Sequence, residues 1–306
     1  MKFSPKTLIR PAMLIVPLGI GFCLPGVREL AAPPWNMLRW TLCLMIFINV
    51  LQIKFADLKP HREHFYLLLT NILVGTGSFF LLKYLYPASV VPAQAAFFAG
   101  IAPTAASAAV IISLLNGRVG FAVTAFVISN IGIACALVFL LPLITGNFSV
   151  AFFYDVLKSL TLVIALPLLL AQVVQRVFPR LLDHMKFLKN LSLCFWSFSL
   201  FIMGGIARGY FDASAENAGM MIWVTCGISL ALCVLNFLGG RLLSRRFSRE
   251  TSQLLGQKNT SFAIFIALEY SSGVAALSTI FYVLFHNLWN SCQLFIQQNR
   301  PEKEGD

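Results

Sequence analysis

The chain repeats one unit: an apolar run of about 17 to 25 residues, long enough to cross the hydrocarbon core of a bilayer as a helix, followed by a short gap that often holds Lys or Arg. Such runs fall near residues 8–24, 36–53, 64–86, 92–116, 118–145, 152–174, 187–208, 217–240, 251–271 and 273–298. In lipid a backbone must satisfy its own polar groups, and continuous apolar runs of this length do so as helices. An all-α membrane protein with ten spans is therefore expected. Composition agrees, with 58% hydrophobic and 11% charged residues against about 25% charged in soluble domains, and a mean hydropathy of +0.80. The first run carries Pro11 and Pro17 and is followed by nine more, so it reads as a transmembrane helix rather than a secretory leader.

The net charge of +11 would suggest nucleic acid in a soluble protein, but here the basic residues are distributed as topology signals are. One set of gaps and ends holds Lys2, Lys6, Arg10, Lys54, Lys59, Arg62, Arg118, Arg176, Arg180, Lys186, Lys189, Arg241, Arg245, Arg246, Arg249, Arg300 and Lys303. The alternate set holds only Arg28, Arg39, Lys83, Lys158 and Arg208. The positive-inside rule then places both termini in the cytoplasm, in a plasma membrane or a bacterial inner membrane. No nucleic-acid partner is expected, and the bilayer itself is the first partner. The seven cysteines lie within apolar runs without Cys-x-x-Cys or Cys/His clustering, so neither a disulfide framework nor a metal site is indicated. No cofactor is expected.

Ten crossings divide into five and five, and an odd number per half means that two similar halves would be inverted repeats, about 8–145 and 152–298, within one transporter domain over 1–306 that ends in a polar tail at 299–306. The fourth run of each half is interrupted midway. "AGIAPTAASAAVII" sets Pro103 before small residues, and "LLGQKNTSFAIF" sets Gly256 before Asn259, Thr260 and Ser261. Proline removes a backbone donor and turns the residue before it out of the helix, while Asn, Thr and Ser cap a restarting one. A single break of this kind is an ordinary kink. Two at matched positions point to a transporter's binding site.

The stretch "GQKNTSFAIFIALEYSSGVAALSTIFYVLFHNLWNS" resembles the last two spans of the bile acid:sodium symporter (BASS) family, in which a Gly-x-Gln-Asn-Ser/Thr break opens one span and a His-Asn pair sits in the next; Asn259, Thr260, His286 and Asn287 are the matching positions. "IAPTAASAAVIISLLNGRVGFAV" is similar to the family's Ala-Pro segment and to the Gly that opens its fifth span, and "LMIFINVLQIKFADLK" to the end of its second. The resemblance implies a core domain and a panel, with spans 4 and 9 broken and crossing, and sodium-driven movement of an organic anion such as a bile acid, an oxo acid or a pantoate-like acid.

The departures from that pattern bear on coupling. The positions of the family's Ser-Asn sodium ligands hold Ala108 and Ala109, its span-5 hydroxyl positions hold Ala122 and Phe126, and its acidic position before Gly256 holds Leu254. Its Gln before Asn259 is Lys258, and only a span-3 amide is kept, as Asn71. Sodium needs several hard oxygen ligands, so sodium coupling is not expected. Lys258 lies about nine residues, roughly 13 Å, inside the cytoplasmic boundary, where a lysine is costly and usually marks a pathway. Its ammonium would stand in for the missing ion, alone or while exchanging a proton, which makes H+ or no coupling ion the expectation over Na+. The alternative, a lysine that snorkels to the interface, conflicts with that depth.

The restarting half-helices would turn positive N-terminal ends toward the crossing. Asn259, Thr260, Ser261, Thr104 and Ser107 are there to cap them or to bind an anion, with His286 and Asn287 as further substrate-site positions. Glu269 and Tyr270 fit an interfacial anchor. An enzyme is not expected, since the spans lack a paired-carboxylate or Ser/His set, nor is a channel, since polar rings are missing. A uniporter or exchanger, or a membrane binding protein without transport, stands as the alternative.

Overall fold

The computed structural model describes residues 16–180, 185–213 and 219–298. The start of the first run at 8–15, the termini with Lys2, Lys6, Arg10, Arg300 and Lys303, and the tail at 299–306 lie outside the described residues.

Among the described residues the chain is helical, without strands. A helical stretch at 16–23 (α1) is followed by α2 (Met37–Leu51), α3 (Arg62–Leu85), α4 (Val91–Ile101), α5 (Ser107–Leu114), α6 (Val119–Thr145), α7 (Val150–Leu160), α8 (Leu166–Val177), α9 (Met185–Ala213), α10 (Gly219–Leu242), α11 (Ser248–Gly256), α12 (Thr260–Tyr270) and α13 (Gly273–Gln298). A π-helical turn, Thr161–Ala165, joins α7 to α8. Among the described residues five helical stretches are long and apolar enough to cross a membrane: α3, α6, the α7–α8 unit Val150–Val177, the Asn190–Gly209 part of α9, and α10. Shorter apolar helices are α2, α4 and α12.

Large apolar side chains face outward as well as inward, and many polar ones are buried. Trp223, Phe139 and Leu169 are 76%, 71% and 65% exposed, whereas Thr225, Ser229, Asn236, Gln253, Ser278 and Thr279 are fully buried. Lipid solvates apolar side chains and leaves polar ones to find partners inside.

Local sequence explains the ends that matter. Pro103 stops α4: Ala102 takes φ −48° and ψ 132°, the extended backbone required ahead of proline. Asn259 starts α12 by accepting a hydrogen bond from Phe262 N at 3.3 Å. Ser149 caps α7 in the same way, and Gly146 closes α6 with φ 74°, a conformation that costs glycine nothing.

Helix packing follows two groupings. α3 packs along α4, α10 along α11 and α13, and α13 along α4, while α2 packs on α8 and α9. At the α3–α4 crossing two glycines meet: a Cβ on Gly100 would stand 2.9 Å from the Gly75 Cα, and one on Gly75 would stand 3.0 Å from the Ile101 Cα. Such close backbone approach is the common way for helices to associate in lipid. It also brings Asn71, one turn before Gly75, against the end of α4.

Candidate functional site

The two interruptions lie against each other. Ala105 N donates to Gln257 O at 3.0 Å and Asn259 N donates to Pro103 O at 2.6 Å, which makes a two-bond antiparallel bridge between Thr104 and Lys258. Each break exposes backbone groups that its own helix cannot satisfy, and each supplies partners to the other. The remaining Thr104 groups turn to α6: its N–H donates to Ser129 Oγ at 3.0 Å and its carbonyl accepts from Asn130 Nδ2 at 3.0 Å. Thr104 Oγ1 donates to Leu254 O at 2.8 Å, and Gln257 Nε2 donates to Ser107 Oγ at 2.7 Å.

Lys258 is 1% exposed. Its ammonium donates to Asn71 Oδ1 and, at 3.0 Å, to Gly100 O. Asn71 Nδ2 is committed to Ala102 O at 2.9 Å, so its amide orientation follows from the chemistry: only the oxygen is left to face an ammonium that cannot accept. Gly100 and Ala102 belong to the C-terminal end of α4, the negative end of its dipole, where cations are favoured. Among the described residues no carboxylate is paired with Lys258; the ion pairs are Arg39–Glu269 at 2.8 Å and Arg62–Glu63 at 3.7 Å. A lone buried ammonium without an anion costs several kcal/mol after relaxation, and amide and carbonyl ligands offset that only in part. The snorkelling alternative is not the observed arrangement, since the side chain points into the crossing.

The five positions expected to have lost oxygen ligands are filled by packing. Ala108, Ala122 and Leu254 are buried in one apolar cluster with Leu67, Ile112, Phe121 and Leu255, with Ala109 packed against it; Phe126 is buried in the main core.

The candidate substrate residues do not form one group. Thr104, Ser107, Asn259, Thr260 and Ser261 gather at the bridge, with Thr260 and Ser261 buried in the first turn of α12. Asn259 spends its oxygen on the cap and sets its amide nitrogen 3.4 Å from Asn130 Oδ1. His286 and Asn287 sit elsewhere, along α13. The His286 ring is buried edge-on to Tyr282, with centroids 5.8 Å apart, and Asn287 Nδ2 donates to Val283 O within its own helix. Glu269 pairs with Arg39, and Tyr270 donates to Asp155 O at 3.2 Å, which holds α12 to α2 and α7.

Sequence reasoning missed Ser129 and Asn130, which anchor the Thr104 backbone, and Tyr282, whose hydroxyl donates to Gly256 O at 2.8 Å and accepts from Asn236 Nδ2 at 3.1 Å. The available signal was an Asn in the middle of an apolar 27-residue helix. Compared with protein-family models and with curated proteins, the chain matches none.

Proposed function

We propose that the protein is a multi-pass membrane transporter of an organic anion in which Lys258 takes the place of a transported cation at the crossing of two broken spans. The observation that carries this reading is the Lys258 ammonium, buried and bonded to Asn71 and the Gly100 carbonyl where the breaks bridge. In transporters, half-helix C-termini and unwound carbonyls hold coupling cations at such points, while half-helix N-termini face anionic substrate groups. Here the end of α4 faces the fixed cation, and the starts of α5 and α12 lie beside the bridge. The ten spans, the inverted halves, the cytoplasmic termini and the likeness to the BASS family are parts of the same proposal, supported by where the breaks fall along the chain. With the oxygen-ligand positions filled by Ala, Phe and Leu, transport is sodium-independent and either coupled to protons or an exchange of anions.

The test is uptake of taurocholate, pyruvate and pantoate by the purified protein in liposomes, with sodium and proton gradients imposed separately. Losing a charge-assisted hydrogen bond of about 1.5 to 3 kcal/mol predicts that Lys258→Ala and Lys258→Gln lower uptake by roughly tenfold or more. Wild-type-like, sodium-dependent uptake in both variants would end the proposal.

A further inference from the structure

A second polar group lies outside the bridge. Buried atoms of five side chains on α10, α11 and α13 have no hydrogen-bond partner among the described residues: Asn236 Oδ1, Gln253 Oε1, His286 Nδ1, Trp289 Nε1, and both Oδ1 and Nδ2 of Asn290. Buried polar groups are nearly always satisfied, by protein or by water, so this many in one region is a property of the site. Their arrangement is linear. Tyr282, His286, Asn290 and Gln293 follow one another on α13 at spacings of four, four and three residues, one face of a helix with about 5 to 6 Å between successive side chains. One water with two hydrogen bonds of about 2.8 Å bridges that gap. At the far end the row reaches a half-buried residue, Gln293, which accepts from Gln253 Nε2 of α11. At the near end Tyr282 bonds Gly256 O, two residues from Lys258, and Asn236 bonds Tyr282. Phe237 stacked on Trp289 at 4.9 Å forms an apolar wall.

We infer that this row is a hydrated proton path joining Lys258 to the end of the molecule that carries Arg245, Arg246 and Arg249, with His286 as its relay and Asn290 as the side chain that holds its water. The inference rests on the proposed role of Lys258 and supplies its coupling ion. The third N–H of the ammonium gives its proton to water; His286 takes a proton at Nδ1 as its other ring nitrogen releases one to the next water, Tyr282 and Asn290 hold the waters in line, the amine is left neutral, and one proton appears beside Gln293. The titratable groups around the inner end are Cys233 from α10, buried in one cluster with Tyr282, and Tyr282 and His286 from α13. α3 presents Asn71, α4 presents only backbone, and Glu250 stands at the other end of α11, where it accepts from Arg118 N at 2.9 Å.

The path is testable without transport. In X-ray hydroxyl-radical labelling of the whole protein in lipid nanodiscs, read by mass spectrometry, oxidation is fast only where ordered water touches the side chain. Tyr282, His286 and Trp289 are expected to label on the order of tenfold faster than the buried controls Phe97 and Phe262, after correction for intrinsic reactivity. In Asn290→Leu and His286→Leu the Tyr282 rate falls toward the controls, and in His286→Gln, which keeps polar atoms that bind water, it stays high. Tyr282 and Trp289 labelling as slowly as Phe97, or a Tyr282 rate unchanged by Asn290→Leu, would overturn the path. Absence of organic-acid flux in the wild type would instead sink the transport reading and leave the labelling result standing.

Discussion

At the scale of a residue, Lys258 and Asn71 are interdependent because the Asn71 oxygen is, with the Gly100 carbonyl, what the ammonium bonds among the described residues. The ammonium is shut away from water, and Asn71 has already given its nitrogen to Ala102 O. Removing one partner of a buried polar pair leaves the other desolvated, at a cost of about 3 to 5 kcal/mol when a charge is stranded. Asn71→Leu is therefore expected to lower the thermal midpoint in detergent sharply, and Lys258→Met to recover most of the loss in the double variant. Additive losses would show that the two side chains are energetically independent. The lysine was legible from the sequence by its depth in an apolar run, and Asn71 as the one polar match in its span. Asn130 was marked only as an Asn within an apolar helix, and what it and Ser129 bond was not legible. Their work is to bond the backbone of a chain segment 25 and 26 residues away, and periodicity carries no trace of such a partnership.

At the scale of an element, the site depends on how closely α3 and α4 approach. With the Gly75 Cα 2.9 Å from any Gly100 Cβ, the neighbour is backbone and cannot give way as a side-chain end would. Gly100→Val should thus destabilise the protein by about 1 to 3 kcal/mol, the range for overpacking, and displace Asn71 from Lys258. Gly77, on α3, meets nothing within 4 Å, so Gly77→Ala should leave stability near wild type or raise it, as expected of glycine in a helix interior. Equal thermal midpoints for the two variants would show that the close approach is unimportant. The break at Pro103 was readable from proline chemistry, and that at Gly256 from the capping residues. Their antiparallel bridge was not readable from residue chemistry, because two bonds between backbone groups leave no side-chain signature; only the family resemblance implied a crossing.

At the scale of the whole molecule, the distribution of Lys and Arg predicts an orientation that the helices translate into two ends. α6, 27 residues long, carries the chain from Arg118 to the turn at Gly146, a rise of about 40 Å at 1.5 Å per residue. That rise exceeds a hydrocarbon core of about 30 Å, and on the proposed multi-pass reading the two ends lie on opposite sides of it. Arg118 lies with Glu250 and Arg249 of α11, so the 243–247 loop shares its end. The cleft of about 700 Å³ lined by His61, Arg62, Arg245 and Arg246 adds more positive charge there. Retention of basic segments on the cytoplasmic side then predicts that, in a variant whose native cysteines are replaced, Asn147→Cys reacts with a membrane-impermeant thiol reagent on intact cells. Arg245→Cys should react only in inverted vesicles. Labelling of both positions from one side would refute the path assigned to α6 and, with it, the inversion of the two halves; labelling with the sides exchanged would keep the helices and reverse the orientation, placing the outer end of the α13 row away from the cytoplasm.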